Sequence, residues 1–198
     1  MSGPKILGLT GSIGMGKSTV AAMLRERGVP VFDADAAVHV LQGPGGALLP
    51  AIEAAFPGTT SAAGVDRARL GAAVFGDNEK LKQLEAIVHP PVAAMRREFL
   101  SDNANQPLVV FDIPLLYEKG GGLGLDAVAV VSAPADAQRA RVLARPGMTT
   151  EKFEQILALQ LSDSEKRARA DFVIDTGVSL DETRAAVDRL IAALTAAE

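Results

Sequence analysis

Hydrophobic positions change period several times along the chain, and each change marks an element. Lys5 to Thr10 (KILGLT) is a short apolar run that breaks into glycine at Gly11, the pattern of a buried strand running into a loop. From Ser18 the period lengthens: Val20, Met23 and Leu24 share one helical face, Arg25, Glu26 and Arg27 the other, and Gly28 is a natural stop. Val29 to Phe32 reads as a second strand ending at Asp33, so the opening residues spell strand, glycine loop, helix, strand. Between Ala34 and about Gln106 helical periods recur, broken at Gly43 to Gly46, at Pro57-Gly58 and at Gly76. Leu81, Leu84, Glu85, Ile87 and Val88 continue a helix that starts near Asp77 or Asn78. His89-Pro90-Pro91 is expected to end or kink it, because proline disfavours helical geometry in the residue before it.

Leu108 to Phe111, leading to Asp112, and Ala127 to Val131 read as the third and fourth strands. Pro134 to about Arg145 is helical, Pro146-Gly147 interrupts, and Glu151 to Leu161 resumes. Phe172 to Ile174, leading to Asp175, is a fifth strand. Ser162 with Glu165, and Ser179 with Glu182, have capping-box spacing, and Val187, Leu190, Ile191 and Leu194 give the last helix its buried stripe. Lys119-Gly120-Gly121-Gly122 reads as a flexible loop. Strands alternating with helices predict an α/β fold, a mostly parallel five-stranded sheet between helices, with a helical lobe of about residues 34–106 hung between two strands.

Composition then narrows the function. A chain of 198 residues is one domain with room for lobes and lids, and 48% hydrophobic residues exclude global disorder. With 20 basic against 24 acidic side chains and 4% aromatics there is neither a basic footprint nor a set of stacking platforms, so no nucleic-acid partner is expected. Zero cysteines exclude disulfides, thiolate metal sites and a cysteine nucleophile. The N-terminus lacks a sustained apolar h-region and no apolar run approaches the ~18 residues needed to span a bilayer, so no membrane association is expected and the expected location is the cytoplasm.

Residues 11–18, GSIGMGKS, match G-x-x-x-x-G-K-[ST], between an expected strand and an expected helix. Glycines let the backbone curl so that successive N–H groups converge on phosphate oxygens, and the following helix adds the positive end of its dipole. Lys17 then reaches the β- and γ-phosphates of a nucleoside triphosphate, and the Ser18 hydroxyl is a candidate Mg²⁺ ligand. Such loops serve kinases, GTPases and ATPases alike, and no Asn-Lys-x-Asp base-reading tetrapeptide of a GTPase occurs. Strand C-termini in α/β sheets face the ligand crevice, which singles out four aspartates. Asp33 is a candidate base for an acceptor hydroxyl or a helix cap, Asp35 a substrate contact or a cap, Asp112 a metal-holding carboxylate or a turn, and Asp175 structural. Arg141 and Arg145 lie four apart on one helical face, with Lys166, Arg167 and Arg169 beyond them, so a lid of about residues 141–167 could close these cations over the γ-phosphate and exclude water; a solvated helix face is the other reading. His89 reads as a substrate contact or a helix end, and His39 as a helix-face residue.

Taken together, GLTGSIGMGKST (8–19), VPVFDAD (29–35), VDRARL (65–70), LEAIVHPPV (84–92), DIPLLYE (112–118), Q-x-x-R-x-x-x-R (138–145) and EKRARADFVID (165–175) resemble the dephospho-CoA kinase family. The resemblance implies a P-loop kinase core that transfers the γ-phosphate of ATP, with Mg²⁺, to the ribose 3′-hydroxyl of dephospho-CoA. It implies ATP phosphates on Gly14, Met15, Gly16, Lys17, Ser18 and Thr19, and Asp33 as base. It places dephospho-CoA on the helical lobe with Arg67, His89 and Pro90, along with Leu115 and Leu116, and puts Arg141 and Arg145 in the lid. Met15, Pro146 and Thr176 depart from the family's usual Ser, acidic residue and Asn, and position 15 is expected to contribute mainly backbone. The rival expectations are a kinase for another small hydroxyl substrate, such as a nucleotide or a sugar acid, and a regulatory ATPase. Oligomeric state is not legible.

Overall fold

In the computed structural model, which describes residues 3–118, 120 and 124–196, two compact units emerge: residues 1–32 with 103–198, and residues 33–102. Much of the Lys119-Gly120-Gly121-Gly122 loop lies outside the described residues.

The first unit is built on a five-stranded sheet in the order β2-β5-β1-β6-β7, from β1 (Lys5–Thr10), β2 (Val31–Asp33), β5 (Leu108–Asp112), β6 (Ala127–Ser132) and β7 (Phe172–Asp175). Pairing is parallel between β1 and β5, β1 and β6, and β6 and β7, with Leu7 opposite both Val110 and Ala127. β5 is buried along its whole length and β1 over its last four residues, as expected of strands covered on both faces. Helices α1 (Lys17–Glu26) and α9 (Leu180–Thr195) bury Val20, Met23, Leu24, Val187 and Leu190 against Leu7, Leu9, Val110 and Ile174. Arg27, just past α1, ion-pairs with Asp188 of α9, and Arg27 holds the Asp188 carboxyl below its ordinary range. α6 (Ala135–Leu143), α7 (Thr150–Ala158) and α8 (Asp163–Ala168) fill the stretch between β6 and β7. Both expected capping boxes are present, at Ser162 with Glu165 and at Ser179 with Glu182.

The second unit holds α2 (Ala34–Gln42), α3 (Leu49–Ala55), the hairpin β3 (Thr60–Ser61) and β4 (Gly64–Val65), α4 (Arg67–Val74) and α5 (Asn78–Asp102). Its own core gathers Leu41, Leu48, Ile52, Phe56 and Leu70. The hairpin was not legible in the sequence. It is held by Glu53, which accepts hydrogen bonds from Gly58 N at 2.7 Å and from Thr60 Oγ1 at 2.7 Å; these two donors hold its carboxyl below the ordinary range.

Of the two outcomes expected at His89-Pro90-Pro91, an end to the helix is corrected, because α5 runs on through both prolines to Asp102. Each proline removes one backbone donor, a local cost of about 3 kcal/mol in an interior position. Leu84, Ile87 and Val88 before the prolines and Val92 and Met95 after them are partly buried against the one core, and this packing on both sides of the prolines offsets that cost.

Candidate active site

β1 delivers the chain into the loop Gly11–Gly16, and α1 starts at Lys17 with Gly16 as its N-cap residue and no side-chain cap. The first amides of a helix have no intrahelical acceptor, so α1 offers its N–H groups and the positive end of its dipole. Gly14 and Gly16 sit at φ 77° and 89°, a conformation that favours glycine. Both are also tightly approached: a Cβ on Gly14 would lie 2.4 Å from Val142 Cγ2, and one on Gly16 would lie 2.9 Å from Thr176 Oγ1. The loop forms one wall of a cavity of about 610 Å³ whose lining runs from Gly11 through Thr19 and includes Arg141, Arg145, Gln160 and Thr176. Ser12 Oγ in that wall is buried and has no hydrogen-bond partner, an orphan that a polar ligand would satisfy.

The loop is clamped from several elements. Gln138 Nε2 donates to Ile13 O at 2.7 Å, and Ile13 N donates to Gln160 Oε1 at 3.0 Å. Thr176 Oγ1 donates to Met15 O at 2.6 Å. The Met15 side chain is itself buried, and Ala133 N donates to its Sδ at 3.2 Å. Position 15 therefore does more than lend backbone, which corrects the sequence expectation. Gln160 is the member that sequence reasoning did not name. Ser12 lies in the matched loop 11–18, Gln138 opens the Q-x-x-R segment, and Thr176 was marked only as a departure from the family's Asn, none of them as a clamp on the loop.

Lys17 Nζ ion-pairs with Asp112 Oδ1, joining the loop lysine to the end of β5. Ser18 and Thr19 are exposed in the first turn of α1. Arg141 donates from its two terminal nitrogens to Thr176 Oγ1 at 3.1 Å and to Thr176 O at 2.6 Å, which aligns it along the cavity, while Arg145 lines the same cavity. Among the described residues no group of three or more His, Cys, Asp or Glu could hold a metal ion, and no helix is long and apolar enough to cross a membrane. The Ser18 hydroxyl and the Asp112 carboxylate are hard oxygen donors beside an anion cradle. That set fits Mg²⁺, which takes one or two protein oxygens and completes its shell with phosphate and water.

The three further cations expected to add positive charge near the lid, Lys166, Arg167 and Arg169, have partners of their own. Lys166 is fully buried, with Nζ 2.9 Å from Glu118 Oε1. Arg167 approaches Asp163 at 4.0 Å, and Arg169 stacks over Tyr117, whose hydroxyl donates to Arg169 O. Burial would raise the Glu118 carboxyl, but the Lys166 ammonium and the Leu161 amide outweigh it and leave the group below its ordinary value.

Leu116 is 2% exposed and lies under β1 at Gly8, so it serves the core and not a ligand-facing wall; this corrects its expected substrate contact. Leu115 beside it is half-buried. In the second unit Asp33 caps α2, its Oδ1 accepting from Ala36 N at 2.9 Å, and Asp35 is exposed in the first turn. Arg67 opens α4 and donates to His39 Nδ1 at 2.6 Å. His89 and Pro90 sit exposed within α5, so His89 ends no helix.

The Dephospho-CoA kinase family model matches residues 5–182. The chain belongs to that family. A dephospho-CoA kinase of Novosphingobium aromaticivorans is 69% identical over 194 residues, covering 98% of this chain and 96% of that protein. Among solved structures, a Thermus thermophilus protein superposes with a TM-score of 0.85 at 39% identity, over 98% of this chain and 100% of the other. The dephospho-CoA kinase from Campylobacter jejuni does so with a TM-score of 0.64 at 25% identity, over 96% and 97%. A dephospho-CoA kinase needs an anion cradle, and the cavity on Gly11–Thr19 has the form of one.

Proposed function

We propose that the protein phosphorylates the 3′-hydroxyl of dephospho-CoA with ATP, giving coenzyme A and ADP. Family membership across residues 5–182, with an anion cradle closed by two arginines, supports this reading. In it, Gly14, Met15, Gly16, Lys17, Ser18 and Thr19 bind the triphosphate, whose oxygens replace Asp112 as acceptors of the Lys17 ammonium. Asp33 takes the proton of the 3′-hydroxyl as that oxygen bonds to the γ-phosphorus. The bond from the γ-phosphorus to the bridging oxygen breaks, and its electrons leave with ADP, where Lys17 and Arg141 stabilise the developing charge. Arg141 and Arg145, in a lid of about residues 141–167, exclude water that would otherwise take the phosphoryl group. Ser18 and Asp112 would hold Mg²⁺, which when bound neutralises the charge on the β- and γ-phosphates. The unit from Asp33 to Asp102, with Asp35, Arg67, His89 and Pro90, and with Leu115 from the loop after β5, would hold dephospho-CoA; a 3′-phosphorylating enzyme of this kind would work in the cytoplasm.

The test is ADP release with and without dephospho-CoA, run beside other hydroxyl acceptors. Release that depends on dephospho-CoA is expected. Equal release without an acceptor would mark a switch ATPase, and a strong preference for a nucleoside monophosphate would mark a different kinase.

A further inference from the structure

Gln160 holds the phosphate loop from a short link between two helices, and such a side chain aims only as well as its backbone is fixed. Its Oε1 accepts from Ile13 N at 3.0 Å. Gln160 and Leu161 join Leu159, the C-cap of α7, to Ser162, the N-cap of α8. Gln160 N still donates back into α7, to Leu157 O at 3.0 Å. The next amide leaves that pattern: Leu161 N donates to Glu118 Oε1 at 2.9 Å.

Glu118 reaches the link from the loop after β5, and it ties down more than one amide. The same Oε1 lies 2.9 Å from Nζ of Lys166, which is fully buried on α8. One oxygen therefore grips the chain on both sides of Ser162, the amide just before the cap and the ammonium one turn beyond it. Glu118 Oε2 is buried and has no hydrogen-bond partner among the described residues, so the carboxylate acts through Oε1. α8 is fixed a second time at Asp163, whose Oδ2 accepts from Ser132 Oγ at the end of β6, at 2.8 Å. Glu118 and Lys166 lie outside the lining of the nucleotide cavity. A buried ion pair often stabilises a fold no better than apolar side chains of similar volume, so net stability is a weak reason for this one. What it does fix is the course of the link that carries Gln160.

We infer that Glu118 is a positioning residue for phosphoryl transfer: by holding the Leu161 amide it sets Gln160 on Ile13 N and keeps the phosphate loop in its binding shape, while Lys166 balances its charge. The inference rests on the kinase reading above and adds to it a residue outside the nucleotide cavity. The experiment compares full-chain variants in ATP affinity, by titration without acceptor, and in kcat and the KM for each substrate. Glu118→Leu with Lys166→Met removes acceptor and charge together and leaves no buried ion unpaired. This first pair is expected to weaken ATP binding and raise KM for ATP by about 3–10-fold, the scale of one hydrogen bond, with kcat and KM for dephospho-CoA within about twofold. A second pair, Glu118→Gln with Lys166→Met, keeps an oxygen for the Leu161 amide and should stay within about twofold throughout. Gln160→Ala should weaken ATP binding by a factor similar to the first pair, and combining the two should add nothing, because both break one chain of contacts. ATP affinity kept in the first pair, an equal loss in the second, or additive losses with Gln160→Ala overturns the inference and leaves Glu118 a structural ion-pair partner. If the first pair does not fold, Glu118→Asp takes its place, since it keeps the charge opposite Lys166 and withdraws the oxygen by one methylene; the same outcomes decide. Absence of coenzyme A from the unsubstituted protein would overturn the kinase reading, while the ATP affinities would still decide the role of Glu118.

Discussion

Asp33 meets two demands with one carboxylate. Its Oδ1 caps α2 by accepting from Ala36 N, and in the proposed reaction it also receives a proton. Asparagine caps a helix as well as aspartate does but is no base, so Asp33→Asn separates the roles. We expect kcat to fall by about 10²-fold or more with ATP affinity and the unfolding midpoint nearly unchanged, measured by steady-state assay, titration and thermal melt. Asp33→Ala should add a loss of about 1 kcal/mol in stability, the usual scale of a lost cap. Thr176 matters through its hydroxyl. Thr176→Val keeps the shape but removes the donor to Met15 O, and should raise KM for the nucleotide more than it lowers kcat, with a stability loss of about 1–2 kcal/mol. The motif letters marked Lys17 and Ser18 directly. They gave no sign of Thr176, Gln138 or Gln160 as clamps, because a clamp is defined by which backbone carbonyl or amide it reaches across 125 to 161 positions of chain.

At the level of elements, the five strands of the main sheet and the capping boxes were legible because their signals are local: short continuous apolar runs and Ser-x-x-Glu at helix starts. α5 was only half legible. Reading prolines as breakers follows local geometry, whereas the helix is decided by a face that packs on Leu41, Ile52 and Phe56 on both sides of the prolines. Pro91→Ala should therefore restore a missing helical donor and stabilise the protein by about 1–2 kcal/mol, the interior proline cost less what proline gives back through the unfolded chain. A thermal melt checks it; a lowered midpoint would mean that the prolines set a bend the packing requires.

At the scale of the whole molecule, Lys166 and Glu118 show what burial does to charge. The Glu118 carboxyl lies below its ordinary value in the fold, so its contribution is present above the unfolded value and is lost as pH falls through the lower folded one. Glu118→Gln leaves Lys166 buried without its counter-charge and should cost about 3–5 kcal/mol near neutral pH. The gap to the unsubstituted protein should close as pH falls through the lowered folded value, where both forms come to carry a neutral side chain at that position. Denaturant titrations at several pH values read this out. Lys166 also corrects the reading of a basic lid, since sequence shows that a lysine is charged and not where its charge is spent.

By itself, the order of residues determined the α/β architecture, the phosphate loop between β1 and α1, both capping boxes and the family resemblance, since each is written in neighbours a few positions apart. Only the tertiary structure decided that α5 passes through its prolines, that Lys166, Arg167 and Arg169 are spent on Glu118, Asp163 and Tyr117, that Leu116 is core, and that Thr176 and two glutamines hold the loop. These outcomes depend on which groups meet across long stretches of chain, where burial and geometry choose among partners that local chemistry leaves equivalent.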